Sequence, residues 1–385
     1  MGGTLARSEA VGQGSRSVVS FVALDRQHAP IERELIHAFA RVLRANAFTL
    51  GDEVEQFESE FAAHAQAAHC VGVSSGTAAL SLMLRAHGIG PGDEVVVPAH
   101  TFSASARAVA HGGATRVLCD VDGGTGLIDP AAARAAVGSR TAAILAVHLY
   151  GQTCDMDAID AFAKPQGLLV LEDAAQAHGA RYRGRRAGSL GAGAAFSFYP
   201  SKNLGGLGDG GAVCTDDHLL AARIRRLRDL GRTVKRDHVE LGYNERLDGL
   251  QAALLRVKLP YLDGWNDARR AHARHYRELL PAEVRLADER AENDCVYHLL
   301  AARFADRNSV ASLLRQRGIQ FGIHYAPAVH GHLAWGERRL RHGPLPVAEA
   351  WAAEELSLPM HPYLLAEEIE RAAEAVRVAV SGRAA

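Results

Sequence analysis

Apolar and polar positions along the chain follow two periods. Between Phe21 and His64 the period is helical: Ile31, Leu35, Ile36, Phe39, Val42 and Leu43 recur three and four residues apart. Phe48-Thr49-Leu50-Gly51 interrupts them, and Val54, Phe57 and Phe61 start a second helix. From Cys70 on, short apolar runs alternate with helical stretches. The runs predict strands at residues 70–73, 94–97, 116–119, 142–147, 168–171, 195–198 and 212–214. The stretches predict helices at 78–87, 103–111, 157–163 and 219–230. Apolar strands alternating with helices predict one α/β domain whose mostly parallel, seven-stranded sheet is covered on both faces.

After Tyr243 the texture changes. Residues 247–262 and 265–280 read as two amphipathic helices. The remainder reads as a smaller α+β unit, with strands at 295–302 and 320–323 and helices at 309–317, 348–356 and 366–378. The expected division is a flexible tail over 1–20, a large α/β domain over 21–262 and a small C-terminal α+β domain over 263–385. The tail is Gly-, Ser- and Ala-rich without an apolar core, so it is no secretory signal.

Composition narrows the function classes. The 385 residues are 48% hydrophobic and 23% charged, with a formal net charge of −1, which asks for neither nucleic acid nor an anionic membrane as partner. No apolar run is long enough to span a bilayer, so a cytoplasmic location is expected. The five cysteines are scattered without a C-x-x-C pair, which argues against a disulfide framework, a zinc ribbon or an iron–sulfur cluster. They are expected to be buried thiols. His330, His332 and His324 lack an acid at ligand spacing, so no metal is expected. Arg223, Arg225, Arg226 and Arg228 read as a solvated helix face opposite Ile224 and Leu227. Arg181, Arg183, Arg185 and Arg186 read as a polar hairpin around Gly184.

The unusual residues fall at the C-terminal ends of predicted strands, where parallel α/β sheets collect ligands. Ser74-Ser75-Gly76-Thr77 joins a strand to a helix; its cap and the free N–H groups of the first turn suit a phosphate. Phe102 is placed to stack on a flat ring. Glu172 and Asp173 end an apolar strand, where an acid needs a cation or hydrogen-bond donors; a protonated pyridine nitrogen would be one such cation. Lys202 follows a buried strand, and confinement there lowers a lysine's pKa and makes it nucleophilic toward aldehydes. Taken singly, each has an ordinary explanation: a capped helix start, a core aromatic, a capping acid, a solvated loop lysine. Gly206-Leu207-Gly208-Asp209-Gly210-Gly211 leads into a strand instead of opening a helix, which fails the dinucleotide-loop test and disfavours a nicotinamide-dependent oxidoreductase. As a set, the residues fit pyridoxal 5'-phosphate (PLP) better than another cofactor.

At these residues the chain resembles the DegT/StrS sugar aminotransferases, PLP enzymes of fold type I, from about Phe21 to Val378. The resemblance rests on Phe48-Thr49-Leu50-Gly51, Ser75-Gly76-Thr77-Ala78-Ala79-Leu80, Val147-His148-Leu149-Tyr150-Gly151, Glu172-Asp173-Ala174-Ala175-Gln176, Phe196-Ser197-Phe198-Tyr199-Pro200-Ser201-Lys202-Asn203-Leu204-Gly205, Gly242-Tyr243-Asn244-Glu245-Arg246-Leu247-Asp248 and Leu358-Pro359-Met360-His361-Pro362. It implies that Lys202 carries PLP and shuttles the α-proton, and that Asp173 pairs with the pyridine nitrogen. Gln176 would sit near the ring's phenolic oxygen and Phe102 on its face. Gly76, Thr77 and Ser197 would hold the phosphate, with Ala78 beside them in the cofactor site. Asn244 would reach the cofactor of a neighbouring subunit, so a homodimer with shared sites is implied. Tyr199, His324 and Tyr325 would line the sugar pocket.

The implied reaction moves an amino group from glutamate to a nucleotide-linked keto-deoxysugar, and Gln176 with the Phe-Tyr-Pro run looks most like enzymes that aminate C3. The alternatives are amination at C4, a same-family sugar dehydratase, which intact Lys202 disfavours, and a PLP-binding regulatory protein without turnover.

Overall fold

The computed structural model describes residues 18–234, 237–335 and 340–382. Most of the expected tail, residues 1–17, lies outside the described residues. Seven strands occupy the expected places: β1 (His69–Val73), β2 (Glu94–Pro98), β3 (Thr115–Cys119), β4 (Thr141–Val147), β5 (Leu169–Asp173), β6 (Gly193–Ser197) and β7 (Gly211–Thr215). Their spatial order is β1-β7-β6-β5-β4-β2-β3. Neighbours from β6 to β3 run parallel, and β7 alone runs antiparallel to both β1 and β6. The expected count of seven is corrected to eight, because Leu340–Arg341 pairs in parallel with the edge of β3. Two residues carry no periodicity, so no pattern announces this strand.

The helices α1 (Glu32–Ala45), α2 (Asp52–Ala65), α3 (Gly76–Ala86) and α4 (Ser103–His111) lie where apolar spacing puts them. A further helix, Pro130–Ala136, was not expected: its sequence, PAAARAA, has no apolar stripe. Its start follows from local chemistry instead, since Asp129 Oδ1 accepts the Ala131 N–H at 2.9 Å and Pro130 occupies the first turn. The two helices expected around residues 247–280 are Gly249–Lys258 and Leu262–Leu279, separated by a 3₁₀ turn that contains Pro260.

The C-terminal expectations need more correction. A three-stranded antiparallel sheet joins Arg285–Leu286, Leu300–Arg303 and Glu355–Leu358. The strand expected at 295–302 forms only from Leu300, and the one at 320–323 makes a single bridge, Gly322 to Ser357. The helix expected over 348–356 spans Pro346–Glu354, because the residues from Glu355 are taken up by pairing with Leu300–Arg303. Tertiary pairing here overrides helix propensity.

The arginine run also differs from expectation. Arg223 and Arg226 meet Glu240 on the surface, but Arg228 is buried, pairs with Glu58 and donates to the Gly72 carbonyl at 2.6 Å. It ties α2 to β1. The hairpin around Gly184 forms as expected, and all five cysteines are buried and free. No described helix is long and apolar enough to cross a membrane.

Phe57 and Phe61 from α2 pack edge-on to Phe198, each at 5.2 Å, and Phe61 meets Phe196 at 5.0 Å. This seam holds α2 against β6 and the loop that carries Lys202. We expect Phe61→Ala to cost about 3–5 kcal/mol of unfolding free energy, measured by urea titration, through the cavity it leaves.

Candidate active site

A cavity of about 370 Å³ opens at the C-terminal ends of the central strands. Its floor begins with α3. Ser75 caps this helix, its Oγ accepting the Ala78 N–H at 3.1 Å. Gly76 and Thr77, whose N–H groups precede the helix's own hydrogen-bond ladder, line the cavity. A Cβ at Gly76 would come within 2.7 Å of Ser197 Cβ, and one at Gly211 within 2.4 Å of the Ser75 carbonyl carbon. The helix start, Ser197 and the beginning of β7 are therefore in contact only because both positions lack a side chain. Ala78 does not line the cavity; its N–H is already used by the cap.

The two acids that end β5 have opposite fates. Glu172 is saturated within the protein: it accepts from His148 Nε2 at 2.9 Å and from the backbone N–H groups of Gly188, Leu190 and Gly191 at 2.8–2.9 Å. Burial would raise its pKa, but the His148 contact and these donors hold it below the usual carboxylate range. His148 Nδ1 accepts the Cys154 N–H at 3.1 Å, so the imidazole donates through Nε2. Asp173, one residue on, faces the cavity. It accepts from Ser105 Oγ at 2.7 Å and from the Ala175 N–H at 3.2 Å. Burial lifts its pKa despite those bonds and the nearby Lys202.

Lys202 lies in the same cavity. Burial lowers its pKa to about 8, with Asp173 acting in the other direction. Its Nζ is 3.5 Å from His298 Nε2. His298 was not singled out from the sequence. Its Nδ1 is 3.0 Å from Asn203 Oδ1, and Asn203 Nδ2 donates to Asn266 Oδ1 and the Val296 carbonyl, both at 2.9 Å. That polarity puts the His298 proton on Nδ1 and turns bare Nε2 toward the lysine. Burial, with Lys202 and Arg269 nearby, pushes the His298 pKa well below its ordinary value, so the ring is neutral. The only trace in the sequence is a histidine inside an apolar run 96 residues after Lys202.

Gln176 is held at both ends, accepting the Tyr150 N–H at 2.6 Å and donating to Tyr325 Oη at 2.8 Å. Phe102 and Tyr325 face each other at 5.2 Å, and His324 stacks on Phe21 at 5.7 Å. Tyr199 and Phe102, each about half exposed, stand at the rim. The cavity thus brings together Gly76, Thr77, Phe102, Asp173, Gln176, Ser197, Tyr199, Lys202, His324 and Tyr325. It does not include Asn244, which is exposed beside Asp229. His330 meets Glu349 at 3.0 Å, and no metal-binding cluster occurs among the described residues.

A buried carboxylate whose own hydrogen-bond donors are one serine and one backbone N–H, an open helix end beside a serine hydroxyl, and an aromatic rim fit the nitrogen, phosphate and ring face of PLP. Lys202 would hold its aldehyde carbon.

Comparisons with known proteins agree with this chemistry. A profile described as the DegT/DnrJ/EryC1/StrS aminotransferase family matches residues 30–377. The dTDP-3-amino-3,4,6-trideoxy-alpha-D-glucose transaminase of Streptomyces venezuelae is 46% identical over 93% of this chain and 95% of its own. The erythromycin biosynthesis sensory transduction protein EryC1 of Saccharopolyspora erythraea is 46% identical over 91% of this chain and 96% of its own. The crystal structure of S. venezuelae DesV in complex with a ketimine intermediate superposes with a TM-score of 0.92 at 45% identity, covering 96% of this chain and 100% of that one.

The lowered Lys202 pKa has a direct consequence. Burial disfavours the ammonium form, so the free amine accumulates as pH rises through about 8. We expect the cofactor-free protein to capture pyridoxal phosphate covalently about tenfold faster at pH 9 than at pH 7 and then level off, whereas a lysine of ordinary pKa would keep gaining to about pH 10. Borohydride trapping followed by mass spectrometry measures it.

Proposed function

The chain belongs to the DegT/DnrJ/EryC1/StrS aminotransferase family, and from that premise we propose that it uses PLP to transfer an amino group from L-glutamate to C3 of a nucleotide-linked keto-deoxysugar. The observation that carries the reading is the shared cavity of Asp173, Lys202 and the open end of α3. The name of the 46%-identical S. venezuelae relative supports amination at C3.

When bound, PLP supplies an aldehyde that takes up and returns the amino group and a ring that absorbs carbanion charge. The chain's own residues do the rest. Gly76, Thr77 and Ser197 bind the phosphate. Asp173, a buried carboxylate with only two donors of its own, would accept a hydrogen bond from the ring nitrogen and so favour its protonated form. Phe102 would cover one ring face, and Gln176, clamped by Tyr150 and Tyr325, would sit by the phenolic oxygen. Lys202 Nζ takes a proton from the donor's α-carbon in the first half-reaction and delivers one to the sugar carbon in the second. His298 Nε2 accepts a hydrogen bond from that nitrogen while it is charged and so holds the proton in place. Tyr199, His324 and Tyr325 receive the sugar.

The active form in this reading is a cytoplasmic homodimer in which Asn244 reaches the partner's cofactor phosphate. An apolar stripe supports it: Ile36, Phe39 and Leu43 on α1, with Phe48, are each about half exposed. A large cofactor unit over 21–262 and a smaller one over 263–385 are also part of this reading; the apolar cluster around Tyr276 and Leu356 supports the smaller unit, while Leu340–Arg341 and Trp351 return to pack with the large sheet.

The name of the S. erythraea relative, a sensory transduction protein, favours a second reading, in which this chain binds PLP without turnover. One experiment separates the two. The purified, PLP-loaded protein should lose its yellow band on adding glutamate and regain it when a nucleotide-linked 3-keto-6-deoxysugar follows. Lys202→Ala should slow the glutamate step by about 10²–10⁴-fold, the usual worth of a positioned acid–base group. A protein that stays colourless after PLP is supplied sinks the cofactor assignment. A stable yellow form indifferent to every amino donor favours the sensor.

A further inference from the structure

His324 is one of the cavity-lining side chains whose hydrogen-bond polarity the rest of the fold can set, because a neutral imidazole has one N–H and one bare nitrogen. Burial, with Lys202 nearby, lowers its pKa to about 4, so the ring is neutral at ordinary pH. Its backbone is held on both sides: the His324 N–H donates to Glu355 Oε2 at 2.5 Å, and its carbonyl accepts from Tyr150 Oη at 2.7 Å. The ring is stacked on Phe21. His324 Nδ1 lies 2.9 Å from Ser357 Oγ, and Ser357 Oγ lies 2.5 Å from Glu355 Oε1. Nε2 has no hydrogen-bond partner among the described residues.

Only two proton arrangements satisfy this chain. With Glu355 ionised, Ser357 Oγ–H donates to Oε1 and the serine oxygen accepts from Nδ1–H, leaving Nε2 bare. With Glu355 neutral, the acid donates to Ser357 Oγ, the serine hydroxyl donates to Nδ1, and the proton resides on Nε2. We propose that Glu355, acting through Ser357, is a positioning residue that sets which nitrogen of His324 carries the proton, and that its neutral form makes Nε2 a donor toward an oxygen of the sugar substrate. The sugar half of this statement rests on the aminotransferase reading above.

The surroundings of Glu355 favour the neutral form. Its residue is fully buried in the strand Glu355–Leu358. Arg307, on the helix Arg307–Gln316, is the nearby cation, but its guanidinium donates to the backbone carbonyls of Ala352 and Glu355 and not to the carboxylate. Arg303 on the paired strand is committed to Glu354. The phenols of Tyr150 and Tyr325 are neutral, their pKa values raised by burial and by Glu355 itself among other charges. Lys202 and His298 lie beyond His324. Burial raises the Glu355 pKa to about 8, against the opposing bonds from Ser357 and the His324 N–H. The sign follows: the acid is neutral below about pH 8, where Nε2 is a donor, and ionised above it, where Nε2 becomes an acceptor.

The test uses the full-length protein with ¹⁵N-histidine, His324 being assigned by its loss in His324→Gln. The wild type should shift from Nε2–H toward Nδ1–H between pH 6.5 and pH 9. Glu355→Gln should hold Nε2–H throughout, since its amide N–H donates to Ser357 and its carbonyl accepts the His324 N–H. Ser357→Ala should abolish the pH response without removing the acid. In turnover, the KM for the keto-sugar should rise about tenfold from pH 7 to pH 9 in the wild type, one hydrogen bond's worth, and stay flat in Glu355→Gln. The glutamate half-reaction should be alike in all three, which a general structural defect would not allow. A wild-type tautomer that ignores pH, or a Ser357→Ala protein that keeps the wild-type response, overturns the proposal. Because the tautomer is read without sugar, a protein inert to keto-sugars overturns the functional reading and leaves this result to be decided by the spectra.

Discussion

The chain has to keep a carboxyl group and a lysine together in a buried cavity, and the rest of the structure follows from that constraint. An acid removed from water is stable only if its lone pairs are met. Strand alternation sends Glu172 and Asp173, adjacent in sequence, to opposite faces of β5. Glu172 takes up three backbone N–H groups and His148, and so fastens the loop after the hairpin to the centre of the sheet. Asp173 receives one serine and one backbone donor and is left short. A fully satisfied acid at this place would have no use for a ring cation. On the proposed reading, the partial satisfaction of Asp173 is what leaves room for a ring cation.

The same economy shapes the other wall. Gly76 and Gly211 let three chain segments touch where any side chain would force them apart. The helix end is thereby presented to the cavity with its first N–H groups uncovered. Phe61, Phe196 and Phe198 hold the far side of β6, so the loop carrying Lys202 starts from a rigid base. Lys258 reinforces it by donating to the Gly205 carbonyl at 2.7 Å.

What the sequence made legible is what local rules govern. The central strands are apolar on both faces and bounded by turns, so their positions could be read to within a residue or two. The residues at their ends were legible for the same reason: Ser75, Asp173 and Lys202 each stand where an apolar run stops and a polar side chain needs an explanation. Three kinds of feature were not legible. The edge pair Leu340–Arg341 is too short to have a period. Glu355 continues a helical pattern yet starts a strand, because its register is set by Leu300–Arg303 across a long loop. Arg228 reads as surface by spacing, and only its meeting with Glu58, 170 residues away, draws it inside. His298 belongs to this last kind: its partners Lys202 and Asn203 are remote in sequence, and no local pattern marks it.

Arg228 aside, these omissions lie in the C-terminal third. The parallel sheet supplies the groups suited to the cofactor, and they are legible at strand ends. His298, His324 and Tyr325 come from the C-terminal third, whose strands are short and whose pairing is decided by contacts distant in sequence. The groups best placed to choose a substrate are therefore carried by the segment least constrained by local pattern. A change of one residue in the support beneath His324, such as Ser357, can alter what the cavity offers to a ligand without disturbing Asp173 or Lys202. On that argument, relatives that share the Asp173 and Lys202 positions can hold the same chemistry while accepting different sugars.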